Sequence, residues 1–223
     1  MTTSSPLRVL VADDHPHMRA GISADINAQG DMLVAAEAQD GIEALELFHK
    51  FRPDVSLVGL RMPKLDGIEV VASIIAFHPA ARAIVLATSS GDVHALRALR
   101  AGASGYLLKH MLRTDLIDTI RSVHRGQRCI PDEVARRLAE HATDSDLTIR
   151  ETEILKEISK GRSNKLIGAE LNISEHTVKG HIKRILAKLG ANDRTHAVVI
   201  AFQRGFLLCE DSWSTNQRPY PIS

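Results

Sequence analysis

Residues 7–16 read Leu-Arg-Val-Leu-Val-Ala-Asp-Asp-His-Pro, and this stretch decides the fold of the first half of the chain. It is a short aliphatic, β-branched run with one charge that stops abruptly in two carboxylates. That is the form of a strand buried on both faces with polar residues at its carboxyl end. Four further runs of the same kind predict strands at 32–37, 55–59, 83–87 and 104–107. Helical periodicity between them predicts helices over about 16–28, 41–51, 67–77, 92–102 and 112–125, with Gly41, Gly67, Gly91 and Gly102 at their ends or in the nearby loops. Strand and helix in alternation predict an α/β domain, a doubly wound, five-stranded parallel sheet over 1–125.

The whole chain has 223 residues, 44% hydrophobic and 25% charged, which suits two compact domains rather than one and argues against overall disorder. No window approaches the roughly 20 apolar residues of a membrane span, and Met-Thr-Thr-Ser-Ser-Pro lacks the basic and apolar regions of a signal peptide, so no membrane partner and a cytoplasmic location are expected. Cys129 and Cys209 make neither a disulfide framework nor a Cys-x-x-Cys pair and read as reduced and structural. The net charge of +1 is unevenly spread: residues 146–209 carry +4, and each of the other three segments, 1–125, 126–145 and 210–223, carries −1. Only the 146–209 stretch has the basic bias of a nucleic-acid contact.

An open parallel sheet binds ligands beyond the carboxyl ends of its strands. Those ends carry Asp13, Asp14 and His15; Gly59-Leu60-Arg61-Met62-Pro63; Thr88-Ser89-Ser90; and Lys109. Paired carboxylates call for a cation, which makes Asp13 and Asp14 a candidate Mg²⁺ seat with Lys109 as a second positive charge. The alternative is that Asp14 caps the following helix and Asp13 is merely solvated.

Val9 to Pro16, Arg52 to Gly67, Thr88 and Gly102 to Lys109 together resemble the receiver domain of a two-component response regulator, over essentially all of 7–125. The resemblance implies a flavodoxin-like sheet, Mg²⁺ held by the acidic pair, phosphoryl contacts from Thr88 and Lys109, and Tyr106 as a moving switch residue. One position departs from the pattern: where the family places the aspartate that receives the phosphoryl group, this chain has Gly59. Glycine has no side chain to form an acyl phosphate. A register slip does not restore one, because it would misplace Pro63 and Asp66-Gly67. Three expectations follow: any Mg²⁺ binds weakly, so that no cofactor is required; Lys109 pairs with Asp13 or Asp14 and fills part of the vacated space; and a histidine kinase has no acceptor here. Ser56 is of opposite parity to position 59 and points to the other face of the strand. A naturally degenerate receiver and an Asp→Gly substitution in an ordinary regulator explain Gly59 equally well.

Residues 126–145 read as a linker with a short helix over 132–141 and a joint at Thr143-Asp144-Ser145-Asp146; an extra helix of the first domain is the alternative. From Leu147 the pattern is wholly helical. Thr148 and Glu151 have capping-box spacing, a short helix follows over 164–171, and Ser174 caps a third that Gly190 ends. The third helix separates its faces by chemistry. Val178, Ile182, Ile185, Leu186 and Leu189 form one apolar stripe; Glu175, His176, Lys179, Gly180 and Lys183 lie opposite, with Thr177, His181, Arg184 and Lys188 along the edge. A face so one-sidedly basic suits the major groove of DNA.

Leu147 to Leu155, Gly161 to Gly168 and Ile173 to Leu189 resemble the LuxR-type helix-turn-helix of NarL/FixJ regulators, a small four-helix domain, over about 147–207. The resemblance implies double-stranded DNA as partner, with Lys179, Gly180 and Lys183 at base edges and Thr177, His181 and Lys188 near phosphates. It also implies a homodimer through a fourth helix at Arg194–Gly205, with Val198, Val199 and Phe202 on its apolar side. Gly180 departs from the pattern, since it brings no side chain to a base step. Residues 210–223 are polar and proline-containing and read as a disordered tail.

The leading expectation is therefore a DNA-binding transcription regulator, not an enzyme, whose receiver works without phosphorylation at position 59. The alternatives are a receiver remnant that serves as a ligand- or protein-binding input, and a Mg²⁺-dependent phosphatase with Asp13 as nucleophile.

Overall fold

The structure is a computed structural model that describes residues 5–142 and 146–207; the joint at 143–145 and the tail from 208 onward, Cys209 included, lie outside the described residues. The chain divides into two compact units, the first up to residue 143 and the second from 144.

The first unit runs β1 (Leu7–Ala12), α1 (Pro16–Asn27), β2 (Met32–Ala38), α2 (Gly41–Phe51), β3 (Val55–Gly59), α3 (Gly67–Phe77), β4 (Ala83–Ala87), α4 (Asp92–Arg100), β5 (Gly105–Leu108), α5 (Leu112–His124) and α6 (Asp132–Glu140). The five strands are all parallel, in the order β2-β1-β3-β4-β5. Successive side chains of each strand feed opposite layers. Val9, Val11, Leu57, Ile84 and Leu86 pack with Ile22 and Ile26 of α1 and Leu116 and Ile120 of α5. Leu10, Ala12, Val58, Val85 and Tyr106 pack with Phe48, Val71, Ile74 and Ala95 of α2, α3 and α4. Both faces of the sheet are covered, which is why the strands read as nearly unbroken apolar runs.

Local chemistry sets where the helices begin. Asp40 accepts from the N–H groups of Ile42 and Glu43, and Asp66 forms a capping box with Glu69 at the start of α3. A Cβ at Gly67 would stand 2.1 Å from the carbonyl oxygen of Gly59, so only glycine lets α3 start this close to the end of β3. Helix α1 is capped at His15, without a side-chain cap bond, and Pro16 begins it. Asp14 is therefore not the cap.

One boundary differs from the sequence reading. The chain after α5 does not leave the first unit: Tyr106 N–H donates to the Cys129 carbonyl at 2.9 Å and Cys129 N–H to the Ser104 carbonyl at 3.1 Å. Val134 of α6 is fully buried in the same cluster as Ala95 and Ala98, with Ile130 and Leu138 alongside. The segment 126–142 is thus an eleventh element of the first unit and not a free linker. The i, i+4 spacing of Ile130, Val134 and Leu138 gives it an apolar face to bury.

The second unit comprises α7 (Ile149–Ser159), α8 (Asn164–Glu170), α9 (Glu175–Leu189) and α10 (Arg194–Arg204). Each starts at a side chain that accepts a backbone N–H: Thr148, Ser163, Ser174 and Asp193. Ile154, Leu155, Ile158, Ile167, Val178, Ile185, Leu189 and Ala201 form its own core. This unit has the stabilising apolar centre of an independent domain.

Truncating Val134 to Ala should lower the stability of the first unit by about 2 kcal/mol, from lost burial plus a cavity. Urea unfolding of the full chain measures it; a detached linker helix would show no change.

Candidate acidic pocket and nucleic-acid interface

Asp13 leaves β1 fully buried. Its Oδ1 accepts the N–H of His15 at 3.0 Å. Its Oδ2 lies 2.7 Å from Lys109 Nζ in an ion pair off hydrogen-bonding angles, so that no donor is aligned on that oxygen. A buried carboxylate is tolerated only with such a counter-charge, and the Lys109 side chain is itself 11% exposed. Asp14, partly exposed, holds its Oδ1 2.7 Å from His15 Nδ1. A Cβ at Gly59 would lie 3.0 Å from Asp13 Oδ2 and 3.3 Å from the Ala12 carbonyl oxygen. The Asp13 carboxylate thus leans into the space where a side chain at 59 would begin, with Lys109 against it. Thr88 is exposed. Tyr106 is fully buried, its hydroxyl donating to the Ser89 carbonyl at 3.3 Å, and burial pushes its phenol above the ordinary range. Ser56 is buried, and its parity places it on the layer of Val58, away from Gly59.

Mg²⁺ demands near-octahedral oxygen ligands. One Asp13 oxygen is held by Lys109, the other already accepts from backbone, and position 59 offers no oxygen of its own side chain. The residues present do not fit a Mg²⁺ seat.

Sequence reasoning missed His94. It is buried on α4, and neither ring nitrogen has a hydrogen-bond partner. Burial pushes its pKa down to about 4; Arg97 and Arg61 act in the same direction, and Asp66 and Asp92 oppose them. Its place beside Ala95 and one turn before Ala98, both buried, is the signal that the helical periodicity held.

In the second unit α9 buries Val178, Ile185 and Leu189 and leaves Lys179, Gly180, Lys183 and Arg184 exposed. Lys179 Nζ reaches Glu175 Oε1 at 2.9 Å, both in water. Thr177, half-buried, shares a 2.8 Å hydrogen bond with the Ser174 hydroxyl. No atom lies within 4 Å of a Cβ built on Gly180, so packing does not require glycine there. Arg184 Nε donates to the Gly180 carbonyl at 3.4 Å.

Two residues expected near phosphates are committed inward. Lys188 Nζ donates to Glu151 Oε2 at 2.8 Å and to the Asp146 carbonyl at 2.9 Å. Burial pushes the Glu151 carboxyl up, but the bonds from Lys188 and the Thr148 N–H outweigh it, and Glu151 stays below its ordinary value. His181 is half-buried with Nδ1 enclosed and unpartnered; burial and then Arg184 hold it below the usual imidazole range. Lys188 was placed along the edge by its helical angle and near phosphates by resemblance, and neither reveals a partner on α7. On α10, Val198 and Phe202 pack partly into the core, whereas Val199 is 47% exposed.

Residues 9–121 match the family described as response regulator receiver domain, and residues 145–201 match bacterial regulatory proteins, luxR family. The uncharacterized transcriptional regulatory protein YxjL of Bacillus subtilis (strain 168) is 38% identical over 212 residues, 90% of this chain and 97% of that protein. The response regulator VraR of Staphylococcus aureus (strain Mu3) is 37% identical over 206 residues, 90% of this chain and 99% of that protein. The solved structure of the two-component response regulator RcsB in complex with DNA aligns with a TM-score of 0.66 at 25% identity, over 89% of this chain and 99% of that one.

Folded, His94 stays neutral down to about pH 4, while in the unfolded chain it takes a proton near 6.5. Between those values the unfolded state binds more protons, so stability should fall as pH is lowered through this window, by roughly 3 kcal/mol in all. His94→Leu should flatten that slope when urea midpoints are compared at neutral and mildly acidic pH. Gly180→Ala should raise the stability of the second unit by about 1 kcal/mol, because the site is exposed, helical and sterically open; thermal unfolding reads it.

Proposed function

The chain belongs to the LuxR-family response regulators, transcription regulators that join a receiver to a DNA-binding helix-turn-helix, and we propose that it regulates transcription as a homodimer without an acyl phosphate at position 59. The observation that carries the reading of the input is the pairing of Lys109 with Asp13 at 2.7 Å, beside a Gly59 that supplies no acceptor. The ammonium that resemblance assigns to a phosphoryl group is already neutralised, and Tyr106 is already inside the domain with its hydroxyl bonded to Ser89. A histidine kinase therefore has neither an acceptor to charge nor a switch residue left to draw inward.

On the output side, Lys179, Lys183 and Arg184 stand exposed on one face of α9, with Thr177 and Gly180 between them, and meet the groove and its phosphates. Lys188 and His181 support that helix from within. Val199 on α10 offers an apolar contact to a second copy, flanked by Val198 and Phe202. Among the described residues no helix is long and apolar enough to cross a membrane, in keeping with work in the cytoplasm on double-stranded DNA. The relatives are transcriptional regulators, and hydrolytic use of the receiver is disfavoured by Asp13 itself: its oxygens are held by Lys109 and by the His15 N–H, a poor state for a nucleophile.

The test is DNA binding by the full chain and by residues 146–209, on a genomic fragment pool, with and without a small phosphodonor. Three cationic contacts per protomer predict that a dimer loses roughly a thousandfold in affinity between about 50 and 200 mM salt. The phosphodonor should change nothing in this chain, and Gly59→Asp should make binding respond to it. A salt slope near zero overturns the DNA reading; a phosphodonor response in the unaltered chain overturns the reading of the input.

A further inference from the structure

Gly180 lies on the exposed side of α9, away from Val178, Ile185 and Leu189, which face the core. A Cβ built there would meet no atom within 4 Å, so the exposed face has an open gap one turn before Arg184. Helical side chains lean toward the N-terminus, and a residue covers the surface over the turn that precedes its own Cα. Arg184 does so: its Nε donates to the Gly180 carbonyl at 3.4 Å, which holds the guanidinium back along the helix, beside the gap. By helical angle Arg184 belongs to the edge of the face, but this hydrogen bond brings its charged end in toward position 180.

The cations of the face differ in chemistry. Lys179 and Lys183 end in ammonium groups, point charges that suit phosphate, and Lys179 is already 2.9 Å from Glu175 Oε1. Arg184 is the only arginine of α9. With Nε used on the helix itself, its two terminal nitrogens keep their N–H donors in one plane. That fork matches the O6 and N7 acceptors that guanine presents in the major groove. The missing side chain at 180 lets the backbone of α9 approach the base edges closely enough for the fork to reach them.

We propose that Arg184 reads the base pair at the step where Gly180 brings no side chain, and that it selects guanine there. The arrangement depends on the glycine, because a side chain at 180 would fill the gap the guanidinium needs. It rests on the entry of α9 into the major groove and names the residue that gives this contact its sequence preference.

The experiment selects bound duplexes from a random-sequence pool with the full-length chain and with its Arg184→Lys and Gly180→Leu variants. Both positions are exposed, so both variants should fold, which far-UV circular dichroism verifies. The unaltered chain should enrich guanine at one position of each half-site. Arg184→Lys keeps the charge and loses the fork, so the preference at that position should fall by more than about tenfold while the salt slope of binding is unchanged. Gly180→Leu should lower the preference at the same position and spare the others. A guanine preference that survives Arg184→Lys would overturn the proposal, and so would uniform weakening on all sequences, the mark of a phosphate contact. Failure of the unaltered chain to bind any duplex would overturn the DNA reading itself and the proposal with it.

Discussion

A carboxylate taken fully out of water has to be neutralised, and at the end of β1 the group that does so is Lys109. This one ion pair ties the first strand of the sheet to the turn that follows the fifth, across the sheet's carboxyl edge. A side chain at the end of β3 would compete with Asp13 for this lysine, since a Cβ there would lie 3.0 Å from Asp13 Oδ2. With no side chain at position 59, the Asp13 and Lys109 charges satisfy each other.

The second unit uses the same economy. Lys188 of α9, half-buried, and Glu151 of α7, buried, form an ion pair at 2.8 Å, and Glu151 also completes the Thr148 capping box. A single carboxylate therefore fixes where α7 begins and how α9 lies against it. The exposed cations of α9 are presented from a platform whose tilt is set by that internal contact.

Most of this was legible in the residues. The strand ends, the helix caps at Thr148 and Ser174, and the pairing of Lys109 with one of the two aspartates after β1 follow from local pattern and charge balance; which aspartate it chooses, Asp13, does not. What periodicity could not supply was the far partner. Lys188 looked like an edge cation because its helical angle says nothing about Glu151, 37 residues away. Residues 126–142 looked like a linker because Gly126 and Pro131 punctuate them, whereas the decisive facts are the hydrogen bonds of Cys129 with Tyr106 and Ser104 and the burial of Val134 in the cluster that holds Ala95 and Ala98 of α4. His94 was passed over because a histidine on an apolar stripe reads the same whether or not its nitrogens find partners.

The strip of backbone at Cys129, bridged to Gly105 beyond the end of α5, has a colloidal consequence. An outer strand with unpaired amides is a template for another chain, and proteins protect such strands or aggregate through them. Here the β5 border of the sheet is partly paired in cis by the chain's own continuation, whereas β2 is the other outer strand, with Leu33 and Glu37 at the surface. Edge-to-edge association is thereby hindered on the β5 side, while on β2 the charged Glu37, paired with Arg19 at 3.3 Å, stands at the surface.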